Sequence, residues 1–307
     1  MIPATSKRNK PGLRRALPAI AACTLMPLVS QSAAAADWNF SAAHVQQTQA
    51  DLDNGGHAEM DATRLLASVT GSATERLRFG ADLRLEQQQW TFDVPSAYDG
   101  LAPWDELQST TLGLQFHYAL RPQWVLTASP TLRFARESGA DGGDAISYGV
   151  ASGLTRLLAP DRRLGLGLMV QRDIEKTRVL PFVAVAWRID EHWRFANAPA
   201  SGPAGQSAFE FSYVATPSWT FAAGGGYRLE RFRLDDEGPY GAAVVESRGA
   251  PVYARLAYTT SFRLRVEMYA GALMQGELRI EEIANRGSIR EEFDTAPIIG
   301  ASFSLPL

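Results

Sequence analysis

The sequence predicts a closed, antiparallel, up-and-down transmembrane β-barrel of about fourteen strands, twelve if its two weakest segments are dropped. Three observations carry that expectation. Segments about ten residues long alternate apolar and polar side chains. Tight turns, several followed by Trp, alternate with longer polar connections. An export signal precedes them.

The chain opens on a basic stretch, Lys7, Arg8, Lys10, Arg14 and Arg15, followed by an apolar run from Ala16 to Val29 and the small residues Ala33 to Ala36. That is the layout of a cleaved signal peptide, so residues 1–36 are read as the signal and 37–307 as the barrel domain. Ile20-Ala21-Ala22-Cys23 also resembles a lipobox, which leaves lipidation of Cys23 open. Cleavage would remove the only cysteine and five of thirty basic residues but none of the thirty-three acidic ones, leaving a net charge of −8. A chain without cysteine has neither a disulfide nor a thiolate metal site, and its acidity argues against nucleic acid as a partner.

Along the chain the first segment runs from Trp38 to Val45. Leu77, Phe79, Ala81, Leu83 and Leu85 then oppose Arg78, Asp82, Arg84 and Glu86, and Leu112 to Leu120 oppose Gln115 and His117. Leu164 to Val170 oppose Gly165 and Gly167, a weak segment covers Trp193 to Ala198, and Phe209, Phe211 and Tyr213 oppose Glu210. The longest pattern, Trp219 to Leu234, sets Trp219, Phe221 and Tyr227 against Arg228 and Glu230. Val252 to Tyr258 oppose Arg255, Phe262 to Met268 oppose Arg263, Arg265 and Glu267, and Ile299 to Leu307 alternate to the end. Charges confined to one parity are a strand signature and not a helical one.

Trp124, Trp193 and Trp219 each follow a short turn, where an interfacial aromatic girdle is expected. Longer connections are expected at Asp51–Gly56, Asp93–Glu106, Glu137–Asp144, Ser201–Gln206, Asp235–Arg248 and Glu281–Glu292. Pro130 and Pro181 fall inside strands, and a closed barrel has no edge to receive them, so bulges are expected there.

From Gly224 onward the chain resembles a family of uncharacterised bacterial outer-membrane β-barrel proteins. The residues concerned are Gly224-Gly225-Gly226-Tyr227, Arg231 to Asp235, Pro251 to Leu256, Tyr269-Ala270-Gly271 and Gly276-Glu277-Leu278. The resemblance implies the fold and a place in the outer membrane, with its lipid, its lipopolysaccharide and its assembly machinery as partners. It implies no activity. Such barrels usually end in Phe, whereas this chain ends in Pro306-Leu307.

Few local patterns suggest chemistry. Asp51 to Gly56 opens like a calcium loop but has Ala62 at the twelfth position, and the histidines lack metal-ligand spacing, so no metal or cofactor is expected. The residues of lumen parity are Arg78, Asp82, Arg84, Glu86, Arg133, Glu210, Arg228, Glu230, Arg255, Arg263, Arg265 and Glu267. They fit a polar wall around a passive pore for small polar solutes, with arginines outnumbering acids and thus a mild anion preference. They also fit a salt-bridged, closed structural or adhesive barrel. A barrel hydrolase built on His117 is the third reading and the least supported. Tyr98 and Trp104 anchor the loop after Asp93, either at the rim or as a constriction.

Overall fold

The computed structural model describes residues 36–283 and 287–307, so the expected signal and Cys23 lie outside the described residues except for Ala36. Eleven strands follow one another as antiparallel neighbours: β1 (Asp37–Asp51), β2 (His57–Ser72), β3 (Leu77–Asp93), β4 (Glu106–Arg121), β5 (Trp124–Glu137), β6 (Ile146–Ala159), β7 (Arg162–Asp173), β8 (Lys176–Arg188), β9 (Trp193–Asn197), β10 (Ala208–Val214) and β11 (Trp219–Gly226). β11 then pairs with β13 (Val244–Thr259), β13 with β14 (Arg265–Ile283), β14 with β16 (Ala296–Pro306), and β16 with β1 from Asn39↔Pro306 to Gln47↔Ile298. The ring is closed and has fourteen strands. β12 (Arg228–Arg233) and β15 (Gly287–Phe293) continue β11 and β16 beyond it.

Closure satisfies the backbone, and period-two alternation decides what each face presents. On β4 the outward residues Leu112, Leu114, Phe116, Tyr118 and Leu120 are each 40–48% exposed. The outward residues of β7, Leu164, Leu166, Leu168 and Val170, match them. This band of exposed large apolar side chains suits acyl chains and would be unfavourable in water. Trp193 and Trp219 are exposed at the turn end of the band, and Trp124 is half-buried there with the Arg156 guanidinium over its ring. In the turn before Trp193, the N–H groups of His192 and Trp193 donate to Asp190 and hold its carboxyl below the ordinary value.

The stretch expected as one strand from Trp219 to Leu234 is interrupted at Tyr227. β11 and β12 keep one register against β13, but β10 reaches only Gly226, and past it β12 leaves the wall. The glycines make the close approach there. A Cβ on Gly224 would lie 2.6 Å from the Phe209 carbonyl oxygen, and one on Gly226 2.6 Å from the Ala208 Cα. β12, the far halves of β13 and β14, and β15 form a four-stranded lobe. On β13 consecutive residues Val244 to Ser247 are buried, so both faces of the lobe are covered. It meets the opposite walls: Arg233 bridges to Arg136 on β5, Arg231 bonds the Ile174 carbonyl beyond β7, and Glu230 accepts from Gln88 on β3. The lobe therefore lies inside the ring. Parts of the expected loops Asp235–Arg248 and Glu281–Glu292 are its strands, because Val245, Leu278, Ile280 and Phe293 bury their side chains in a core that isolated surface loops lack.

Pro130 and Pro181 also depart from expectation, since neither produces a bulge. Pro130 pairs with Val150, and the β4–β5 ladder resumes the same register on either side of it. Pro181 pairs in register with Leu168, while β8 pairs with β9 only at Ala186–Arg188. Where β9 ends, its last residue takes over through its side chain. The Val185 N–H donates to Asn197 Oδ1 at 2.7 Å, and Asn197 Nδ2 donates to the Val183 carbonyl at 3.1 Å. By alternation Pro181 faces the same side, so at that position the open edge has no N–H to leave unpaired. The wall thus has a notch above β9 and β10, and the proline marks it.

Replacing Leu114 or Leu166 by Arg should destabilise the barrel by about 2–4 kcal/mol when unfolded from lipid vesicles with denaturant, since both face the acyl chains. Asn197→Ala should cost about 1–3 kcal/mol by stripping the Val185 N–H of its partner. Equal tolerance of Arg at Leu114 and at the inward Gln115 would show the facing to be inverted.

Candidate functional site: the barrel lumen

Four structures built from inward side chains fill the interior. The first is an ion network on β10, β13, β14 and β16. Arg255 donates to Glu210 from Nε (3.0 Å) and to Glu267 from Nη1 (2.7 Å), and Arg265 Nε donates to the same Glu267 oxygen at 2.7 Å. The hydroxyls of Tyr253, Tyr269 and Ser302 donate to the two carboxylates as well. Glu210, Arg255 and Glu267 are almost fully buried, and each glutamate is satisfied several times over.

The second is a relay across β2, β3 and β12. Arg64 Nη2 lies 3.0 Å from Glu86, Gln88 Nε2 donates to both Glu86 (2.9 Å) and Glu230 (2.8 Å), and Arg228 Nε lies 3.7 Å from Glu230. Arg133 stacks over the Phe232 ring at 5.1 Å. The third fastens the lobe. The fully buried Arg231 bonds Glu246 (2.7 Å) and Glu281 (2.8 Å), which also bind Arg178 and Lys176 of β8. The fourth is the β9–β10 connection, residues 198–207, which turns into the ring. The carbonyl of Gly202 accepts from Arg64 Nη1 at 3.3 Å and Ser201 Oγ donates to Glu267 at 3.4 Å. Across from these groups the inner wall of β6–β8 is small: Gly149, Ala151, Gly153, Gly165, Gly167 and Ala184. Phe182 lies flat upon it, 2.2 Å from where a Gly167 Cβ would stand.

The expected lumen residues are distributed unevenly among these parts. Asp82 and Arg84 pair at 3.0 Å on β3, and Arg78 shares an end of the lumen with His117 and Arg163. Arg263 is not in the wall. It stands exposed at positive φ in the turn before β14, whose first residue is Arg265. Arg228 and Glu230 are enclosed, but by the lobe, and Arg231 and Arg233 of the opposite parity are enclosed too, because both faces of β12 are covered. Tyr98 and Trp104 are buried at the loop end in an aromatic cluster with Trp90, Phe92 and Tyr240, at centroid separations of 5.1–6.2 Å. Besides the lobe, segment 198–207 enters the lumen.

Arg64, Gln88, Arg163 and Arg194 were not apparent from periodicity, whereas Tyr253 and Tyr269 share the parity of Arg255 and Glu267. β2 hides Arg64 because its outward residues beside it, Asp61 and Thr63, are polar and spoil the alternation. The charge balance is uneven. The side chains of Asp82, Glu86, Glu210, Glu230 and Glu267 are only 4–15% exposed, whereas Arg84 and Arg265 keep 38% and 35% and Arg78, Arg163 and Arg194 are open. What the lumen shows to solvent is positive.

No protein-family profile matches the chain, and no curated protein matches it in sequence. Among solved structures it is similar to an outer membrane channel from Pseudomonas putida F1, with TM-score 0.48 and 10% identity over 91% of this chain and 97% of that one. It is also similar to the P. putida toluene transporter TodX (0.42, 11%, 89% and 90%) and to the NanC porin (0.34, 11%, 85% and 98%). At these scores the likeness is coarse, and the barrel assignment rests on the strand pairing of this chain.

Arg255→Leu leaves the buried Glu210 without its cation and Glu267 with Arg265 alone, and should destabilise the barrel by about 3–5 kcal/mol, whereas Arg84→Leu, a half-exposed arginine whose partner Asp82 keeps Gln115, should cost less. Denaturant unfolding followed by Trp fluorescence measures both. Similar costs would mean that Arg255 is not the keystone of its network.

Proposed function

We propose that this protein is a passive pore of the bacterial outer membrane for small polar solutes, with a mild preference for anions. The observation that supports it best is the asymmetry of exposure in the lumen. Every inward acid is covered by its own partners, while five arginines keep solvent access, so a permeating ion meets a positive potential between low-dielectric walls. Segment 198–207 is the element suited to set the bore. Apart from Gln206 it is built of Ala, Pro, Ser and Gly around two hydrogen bonds to the walls, and it faces the small-residue side of the ring. Export with removal of residues 1–36, contact with lipopolysaccharide, and insertion by the outer-membrane assembly machinery belong to the same reading.

A closed structural or adhesive barrel is the second reading, favoured by the lobe that crosses the interior. A hydrolase has less support, because the charged neighbours of His117 are arginines and not a carboxylate that would orient it.

Purified protein in planar bilayers should give discrete channels whose reversal potential in a salt gradient lies toward the anion. Removing residues 199–204 should raise the conductance. Replacing both Arg78 and Arg163 by Gln should move the reversal potential toward zero. Silence in the intact and the shortened barrel alike would retire the pore in favour of the structural reading.

A further inference from the structure

The outer face of the wall carries a concave place at its turn end. Ala215, Thr216, Trp219, Phe221 and Leu256 line a groove of about 380 Å³, within the roughly 300–1,000 Å³ of ordinary ligand clefts. It lies where the β10–β11 turn meets β13, since Phe221 stands opposite Leu256 and Trp219 opposite Tyr258. The one hydroxyl in its lining is engaged, because Thr216 Oγ1 accepts from the Trp219 N–H at 3.1 Å. The groove is therefore apolar, and the exposed Trp219 and Phe221 place it in the band that faces acyl chains.

The adjoining turn adds a cation. The Thr259 N–H donates to the Ser218 carbonyl at 2.8 Å, which joins the β13–β14 turn to the β10–β11 turn. A tight turn then closes from the Thr260 N–H to the Leu264 carbonyl at 2.9 Å, with Phe262 66% exposed and Arg263 exposed beside it. No carboxylate occurs from Ala215 to Trp219 or from Thr259 to Leu264. An apolar groove next to an exposed guanidinium at the membrane surface has the polarity of a phospholipid, with a chain in hydrocarbon and a phosphate at the interface. The ammonium of a zwitterionic headgroup would find no acid in either turn, so a net negative headgroup suits the place better. The wall is also low here. β10 and β11 have 7 and 8 residues, fewer than the roughly 9–11 that cross the hydrocarbon, so the bilayer must adapt beside them.

We propose that the foot of β10, β11 and β13 binds one anionic phospholipid of the periplasmic leaflet, with an acyl chain in the groove and its phosphate held by Arg263. The site is independent of conduction, because a closed barrel would present the same outer face.

Native mass spectrometry of the folded barrel, released from detergent after incubation with equimolar phosphatidylglycerol and phosphatidylethanolamine, reads the bound lipid directly. One phosphatidylglycerol per barrel is expected to survive release, preferred by about fivefold. Arg263→Gln should abolish that preference, and Ala215→Phe, which fills the groove, should cut retention of both lipids. Arg76→Gln, an exposed cation in another turn, should behave like the wild type. Heat-dependent mobility on a detergent gel confirms that each variant is folded, and Arg263→Gln decides the matter if Ala215→Phe does not fold. Equal retention of the two lipids by the folded wild type would mean an ordinary lipid annulus and overturn the site. An undiminished preference in folded Arg263→Gln, or undiminished retention in folded Ala215→Phe, would overturn it as well.

Discussion

In hydrocarbon no water is available to an unpaired N–H or C=O, so every backbone group in the wall must find its partner within the protein. The rest of this structure depends on that constraint. It closes the ring through β13–β14 and β16–β1, and it governs the place where the ring is imperfect. Where β9 stops short, Asn197 substitutes its amide for a strand's, and the next position facing the gap is a proline with no hydrogen to present. Two side chains of opposite character thus serve the same requirement, one by supplying hydrogen bonds and the other by abolishing the need.

The interior obeys a softer form of the same rule. A ring of fourteen strands encloses more space than inward side chains fill, and this chain occupies the surplus with its own β12–β15 lobe. The lobe carries Phe232, Leu278, Ile280 and Phe293 into a core shared with Met60, Trp90 and Leu107 of the wall, while its charges are tied to β8. Glu246 and Glu267 drawn inside are each met by two arginines, and Glu281 by Arg231 and Lys176. The surplus of arginines left facing the lumen is a by-product of that pairing.

Much of this was legible in the chain. The strand pattern, its parity and the Trp-led turns depend on local alternation, which β4, β7 and β11 display without interference. The lobe was not legible, because period two describes only a wall with one wet and one dry face. Once β12 is covered on both sides, Arg231 and Arg233 are as enclosed as Arg228 and Glu230, and alternation no longer discriminates. Gly224 to Gly226 did mark the bend, but a glycine run says that strands come close without saying where they go next. Pro181 was the more informative signal: read as a fault in a closed wall, it was evidence that the wall has an edge.

The two ends of the barrel meet. The Leu307 N–H donates to the Trp38 carbonyl at 2.8 Å, and β1 runs beside β16 over nine residue pairs. The first strand to be made must therefore wait for the last, across almost the full contour of the domain, and until then neither has its neighbour on that side. Contacts so distant in sequence form slowly. Throughout that delay the leucines and aromatics destined for lipid stand in water. The time between synthesis and closure, more than the life of the finished barrel, is when this chain is most exposed to aggregation.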